Sequence, residues 1–443
     1  MIKIIFILFN LFLLNVIPYS GNSYAFKVNE VKSEKGITAY LLEDNSNQII
    51  SLSFQFSLGA IHDPKEKLGL SRMVARLLDE GAGSFNSFEF QSELANYGIR
   101  LSFNNSRDTF SGSLTTVSAN LDKAMNLLSL ALLSPRFDKE PLERVRRQIK
   151  ASITREEDRP SSYAQKKLYS LIYPNHPYGN SLNGSVDTID KISRRDLNLY
   201  IKKRFSRNNL IVGAAGNINE NTLKIYLDRV FGRLPTNSDL NTKLLDVVPK
   251  SFGTLVVEKN FPQSVIIASS PGISRNNVEW YSALLANHIL GGGSFTSRLM
   301  NEIREKRGLA YSVGSSLVSY KFSNMIYTSL GTRNEAVGES VEVLKDEWRK
   351  FQLRGINAQE LQHAKDYITG SWPLSFTSSQ GIASLLVVIQ YYKLGLNYIS
   401  ERDRIIDSVS IEQVNRIARR LFNVNNLSFL IVGMPKGMAS VDE

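Results

Sequence analysis

The chain of 443 residues contains no cysteine. Disulfides, thiolate zinc sites, iron–sulfur ligation and a cysteine nucleophile are therefore all excluded. Histidine is scarce, with His62, His176, His288 and His363 far apart in sequence. No two of them stand four residues apart, the spacing that brings two imidazoles to one helix face. After the first 25 residues no run of about 20 apolar residues occurs, which leaves no further segment with the composition of a bilayer span. No Gly-Lys-Ser/Thr follows the glycine run Gly291–Gly293, so that run lacks the lysine and hydroxyl of a phosphate-binding loop.

What is present is ordinary globular material. Hydrophobic residues make up 42% and charged residues 21% of the chain, enough apolar content for a large core. At roughly 100–200 residues per domain, the length calls for more than one domain. Lysine and arginine exceed aspartate and glutamate by 53 to 42, a net charge of +11. The basic residues are scattered and sit in helix-like contexts, as in Arg144, Arg146 and Arg147 or Lys202, Lys203 and Arg204. They outline no groove-reading helix and no stacking platform, so no nucleic-acid partner is expected.

The first 25 residues carry one charge, Lys3, followed by the apolar run Ile4–Ile17 and by Ser23-Tyr24-Ala25, a small-x-small pattern. This reads as a signal peptide (1–25) cleaved after Ala25, which gives a periplasmic protein with no stable membrane span. Uncleaved, the same segment would be an anchor.

The sequence repeats itself. The stretch from Ile189-Asp190-Lys191-Ile192-Ser193 to Asn208-Asn209-Leu210 recurs from Ile406-Asp407-Ser408-Val409-Ser410 to Asn425-Asn426-Leu427, at an offset of 217 throughout. In each copy a serine, Ser193 or Ser410, stands where an N-cap opens an amphipathic helix. Each copy then runs into an apolar strand closed by glycine, expected at Leu210–Gly213 and Leu427–Gly433. Strands expected at Ile49–Ala60 and Ser264–Gly272 each precede an apolar-periodic helix, Leu68–Leu78 and Val278–Leu290. Further helices are expected at Pro141–Glu157 and Ala358–Ile368. Two homologous layered domains of the α+β class follow, with an antiparallel or mixed sheet and helices on one face. Their expected extents are 26–240 and 241–443, joined by the polar stretch from Pro235 to Pro249.

On the helix Gly69–Gly81, positions 72, 75 and 76 share one face, the spacing at which His-x-x-Glu-His binds zinc. Here they are Arg72, Ala75 and Arg76. With the duplication, this segment resembles the pitrilysin/insulinase family of inverted-motif zinc peptidases, which includes the mitochondrial processing peptidase. The family's downstream zinc glutamate maps to Ala151 or Ser152, and Glu156 and Glu157 lie a turn later. Arginine stays protonated and offers no lone pair, so Arg72 and Arg76 repel a metal. No metal site and no cofactor are expected in this chain.

In the second half, Leu290-Gly291-Gly292-Gly293-Ser294-Phe295 leads to Arg304-Glu305-Lys306-Arg307-Gly308-Leu309-Ala310-Tyr311. This is similar to the family's C-terminal signature, in which an arginine and a tyrosine seven residues later contact the substrate backbone and the tetrahedral intermediate. Arg304 and Tyr311 match those positions. Gly291, Gly292 and Gly293 match a loop that adjoins substrate in the family, and a tight turn between helices accounts for them equally well. A surface arginine and a core tyrosine would show the same spacing as Arg304 and Tyr311.

The resemblance implies half of a clamshell chamber. It also implies a non-metal subunit that lends its arginine and tyrosine to a zinc-binding His-x-x-Glu-His homologue cutting peptides or unfolded segments. The alternative is a non-catalytic peptide-binding or scaffold protein.

Overall fold

The computed structural model describes residues 27–240 and 244–438. The expected signal peptide lies outside the described residues, as do three positions of the expected linker. Two sheets organise the rest. The first contains β1 (Val28–Lys32), β2 (Thr38–Glu43), β3 (Ile49–Phe56), β4 (Arg100–Asn105), β5 (Phe110–Val117) and β6 (Leu210–Gly216), in the order β1-β2-β6-β3-β5-β4. The second contains β7 (Thr254–Glu258), β8 (Ser264–Pro271), β9 (Ala310–Ser319), β10 (Asn324–Thr332) and β11 (Ser428–Gly433), in the order β7-β11-β8-β10-β9. Apart from the extra edge strand β1, the topologies are the same. In each sheet one parallel pair, β2 with β6 or β7 with β11, joins an otherwise antiparallel ladder.

The repeat is reproduced residue for residue. Helix Arg194–Arg204 and helix Ile411–Leu421 differ by 217 at both ends. Both open with a capping box: Ser193 pairs with Asp196 and Ser410 with Gln413, each serine oxygen accepting from the third helical N–H. The strands that follow end together at Gly216 and Gly433, both at positive φ (113° and 153°). The strand expected to close at Gly213 therefore continues three residues further.

Gly213 has a different purpose. A Cβ there would lie 2.3 Å from the carbonyl oxygen of Ala383, in a helix of the other half. That helix, Ser379–Tyr391, lies on the face of the first sheet that its own helices leave bare. Ile382, Ala383, Leu386 and Ile389 bury against Leu42 and Ala215. Gln380 accepts from Thr115 Oγ1 (2.8 Å) and donates to Ser53 Oγ (2.8 Å), and Gln390 Nε2 donates to the carbonyl of Val212 (2.6 Å).

The exchange is reciprocal. Helix Pro160–Ile172 of the first half covers the second sheet, packing Ala164, Leu168 and Ile172 on Val265, Ile267, Leu430 and Val432. Each half's own helices fill the opposite face of its own sheet.

A polar clasp sits where the halves meet. Asp108 Oδ1 accepts from Tyr178 OH (2.6 Å), and its Oδ2 accepts from the backbone N–H of Lys321, at the tip of the β9–β10 hairpin (2.9 Å). Tyr173 OH bonds Ser323 Oγ (2.9 Å) and Tyr169 OH bonds Tyr320 OH (2.6 Å). Arg107 stacks on the Tyr169 ring and donates to the carbonyl of Tyr178 (2.7 Å). Burial raises the Asp108 carboxyl above its usual range, against the pull of its hydrogen-bond donors.

A buried ion pair holds the helix that carries Arg72 and Arg76. Helix Leu70–Leu77 starts after Gly69, which sits at φ 93° and brings no side-chain cap. Its first turn is satisfied instead by Asp63, whose two oxygens accept from the Ser71 N–H (2.9 Å) and Ser71 hydroxyl (2.6 Å). Arg204 donates to the same carboxylate at 2.9 Å, and the two side chains are 3% and 1% exposed. His176 has a local role, its Nδ1 accepting from the Tyr178 N–H (3.1 Å) to cap the turn Pro177–Gly179.

Two substitutions and one control test this frame. Asp63→Asn leaves Arg204 buried without a counter-charge and is expected to lower stability by about 3–5 kcal/mol in urea titration. Gly213→Ala overpacks the exchanged helix and is expected to cost about 1–3 kcal/mol. Gly338→Ala, in the first turn of a helix where a Cβ meets nothing within 4 Å, is expected to be neutral or stabilising by thermal melt.

Candidate functional site

Helix Leu70–Leu77 buries Leu70, Met73, Val74 and Leu77 in the first core and turns Arg72 and Arg76 outward. Ala75 is buried on the same helix. Beside it runs helix Lys139–Glu157, on which Gln148, Ser152 and Arg155 recur at helical spacing. These two helices and Asn183 enclose a cleft of about 210 Å³ lined by Arg72, Arg76, Arg155, Gln148, Ser152 and Asn183, over an apolar floor of Val145 and Ile149.

Of the two candidates for the downstream ligand position, Ser152 lines the cleft, and Ala151 is exposed and does not. Glu156 is turned away: its Oε1 accepts from Asn183 Nδ2 at 2.7 Å. Burial and the neighbouring charge of Arg76 lower the pKa of the Arg72 guanidinium, with Glu156 acting in the opposite sense. The group remains cationic at any physiological pH.

Zinc does not fit this donor set. Three guanidiniums supply charge of the wrong sign and no lone pairs, and a hydroxyl and two carboxamides cannot compensate. Among the described residues, no group of three or more histidine, aspartate or glutamate side chains is placed to hold a metal.

The second half holds a different arrangement. Helix Trp280–Asn287 continues into a π-helical turn, His288–Gly292, and a second π-helical turn covers Met300–Glu305. Such turns often mark functional positions because the wide ring shifts side chains out of the regular helical face. Between them Ser294 stands at φ 51°, and Phe295 projects into solvent, 65% exposed. Arg304 comes from the second π turn and Tyr311 from the start of β9. The Arg304 guanidinium lies 4.7 Å from the centre of the Phe295 ring and 5.2 Å from that of Tyr311. Tyr311 is 85% exposed, so it is not a core tyrosine.

The structure also explains which basic residue in Arg304-Glu305-Lys306-Arg307 is free. Lys306 Nζ and Arg307 Nη1 both pair with Glu302, at 2.5 and 2.6 Å. Arg304 has only a long contact to Glu305, at 3.6 Å. Its side chain, with the guanidinium flanked by two rings, is 28% exposed and beyond that long ion pair makes no side-chain hydrogen bond among the described residues.

The glycine run lies behind this surface. Gly291 and Gly293 are buried where a Cβ would press on Ser315 Oγ (2.6 Å) and His288 Nε2 (2.9 Å), and Gly292 is exposed. The expected tight turn between helices is a π-helical extension of the preceding helix. Burial lowers the pKa of His288, whose ring stacks at 5.0 Å on Tyr367.

Sequence spacing brings Arg304 and Tyr311 together correctly. It does not show Phe295 as the second flank of the guanidinium, or Arg155 as the third cation of the first cleft. Arg155 follows Ser152 on one helix face, a periodicity that could have pointed to it. Phe295 precedes Arg304 by nine residues across an irregular turn, and no sequence period covers that.

Comparison with known proteins agrees with both halves. Residues 39–186 match the model of Insulinase (Peptidase family M16), and residues 191–368 match that of the Peptidase M16 inactive domain. The chain is 28% identical over 402 residues to the "Non-peptidase homolog YmxG" of Helicobacter pylori, covering 88% of this chain and 91% of that one. It is 23% identical over 395 residues to the "Uncharacterized zinc protease YmxG" of Bacillus subtilis, covering 88% and 94%. A solved structure titled as a peptidase M16 inactive domain from Pseudomonas fluorescens superposes with a TM-score of 0.87 at 23% identity, over 94% of this chain and all of that one. A protease from Helicobacter pylori superposes at 0.83 and 18% identity, over 92% and 99%. With the duplicated topology and matches along both halves, the chain belongs to the M16 insulinase family of peptidases.

Proposed function

We propose that this protein is the non-metal subunit of an exported heterodimeric zinc peptidase, lending Arg304 and Tyr311 to substrate held by a zinc-bearing His-x-x-Glu-His homologue. One observation carries the reading. The Arg304–Tyr311–Phe295 surface is assembled and open to solvent in a chain whose own cleft repels metal. A protein that only needed its fold would have no requirement for an exposed tyrosine beside an arginine held by no more than a long ion pair to Glu305. The name of the Helicobacter pylori relative, a non-peptidase homologue, supports a chain that does not hydrolyse peptides alone.

In this role Arg304 presents forked donors to the carbonyls of an extended peptide, with Phe295 and Tyr311 orienting the guanidinium between them. The Tyr311 hydroxyl donates to the oxygen that becomes negative as the scissile carbonyl turns tetrahedral. Gly292 is the open member of the glycine run, where substrate backbone could approach without meeting a side chain. The partner completes the chamber, and the N-terminal leader directs export to the periplasm.

Two outcomes are expected. The purified chain retains far less than one equivalent of zinc after dialysis, measured by elemental analysis. In the reconstituted pair, Tyr311→Phe lowers kcat about a hundred- to a thousandfold while light scattering shows the complex intact. Full activity of Tyr311→Phe would remove the tyrosine from the chemistry, and loss of the complex would assign it a structural role.

A further inference from the structure

The cleft in place of the metal has the construction of an anion receptor. Arg72 and Arg76 from one helix and Arg155 from its neighbour converge on the same space of about 210 Å³. Among the described residues, none of the three guanidiniums has an ion pair or hydrogen bond. Other exposed arginines of this half are also unpaired among the described residues, but these three share one cleft, whereas several of their neighbours are matched to carboxylates. Arg144 pairs with Glu80 at 2.7 Å, Arg146 with Glu143 at 3.2 Å, Arg204 with Asp63 at 2.9 Å, and Arg229 with Asp122.

The one carboxylate whose field reaches Arg72 is that of Glu156, and it is held by Asn183. Ser152 Oγ and the Gln148 carboxamide, also without hydrogen-bond partners among the described residues, add neutral donors to the rim. Arg72 is half-buried and feels the charge of Arg76, so an anion in the cleft would relieve a repulsion that solvent screens only in part. Simple loss of a metal site requires only that its ligands disappear, and neutral side chains at positions 72 and 76 would achieve that.

We propose that this cleft binds an oxyanion of carboxylate or phosphate type, gripped by the guanidiniums of Arg72, Arg76 and Arg155, so that a metal position has become an anion site. A guanidinium fork matches both groups, and three of them around an apolar floor favour one terminal oxyanion over an extended polyanion. The ligand has two possible sources, a free phosphate or the carboxylate of an acidic peptide side chain. The site needs no zinc partner and stands apart from the roles of Arg304 and Tyr311.

The test uses the full chain without any partner, in chloride buffer of fixed ionic strength. Inorganic phosphate is titrated by calorimetry in one arm. In the other arm, a short peptide with a central glutamate is compared with its glutamine counterpart. Phosphate, the glutamate peptide or both are expected to bind. Arg72→Gln and Arg155→Gln each weaken that binding roughly tenfold to a hundredfold, the loss typical of one charge-assisted contact. A second readout guards against simple unfolding. Without added anion, Arg72→Gln is expected to melt at or above the temperature of the parent chain, because a repulsion has been removed.

Binding of phosphate alone would assign a free anion, and binding of the glutamate peptide alone a peptide carboxylate. Absence of binding in both arms, or affinity unchanged in both variants, would overturn the proposal. So would equal binding of the glutamate and glutamine peptides with no response to phosphate.

Discussion

The reciprocal exchange of one helix between the halves is the constraint on which the rest of this structure depends. A sheet of five or six strands has two faces to cover, and each half's own helices cover only one. Helix Ser379–Tyr391 closes the first sheet and helix Pro160–Ile172 the second. The two contacts are not interchangeable. The first sheet presents small and polar residues, Ser53, Thr115 and Gly213, to Gln380, Ser384 and Ala383. The second presents Val265, Ile267, Leu430 and Val432 to an apolar helix face. Each helix matches the sheet of the opposite half that it covers, so the duplicated halves adopt one mutual arrangement, and the Asp108 clasp falls at its edge.

That rigid frame lets the halves diverge in chemistry. The first holds a cleft with a cationic lining beside helix Leu70–Leu77, which Asp63 and Arg204 anchor. The second keeps an arginine and a tyrosine on an exposed surface, steadied by π-helical turns and a phenylalanine. A fold supported by packing remote from both places tolerates this exchange of functional side chains. Family membership alone therefore does not decide activity, and the side chains of each cleft do.

Much of this was legible in the sequence. The 217-residue repeat places helix Arg194–Arg204 and helix Ile411–Leu421 with matching ends, because cap, core period and following strand all recur together. Gly213 was misleading, since glycine marks both strand ends and close packing, and only the exchanged helix distinguishes the two. The exchange itself leaves no periodic trace: an amphipathic helix shows that it has a buried face, not which sheet buries it. Arg304 and Tyr311 were visible through their fixed separation. Phe295, and the pairing of Lys306 and Arg307 with Glu302 that leaves Arg304 free, depend on irregular backbone that spacing rules do not reach.

The central claim is that the exposed Arg304–Tyr311 surface belongs to a catalytic centre completed by another chain. A structure of this protein bound to a zinc-bearing His-x-x-Glu-His homologue tests it most directly. The account expects the Tyr311 hydroxyl and the Arg304 guanidinium to face the partner's zinc across a shared chamber, with no metal beside Arg72 and Arg76. A complex in which Tyr311 lies on the outer surface, or in which zinc occupies the cleft beside Ser152, would contradict it.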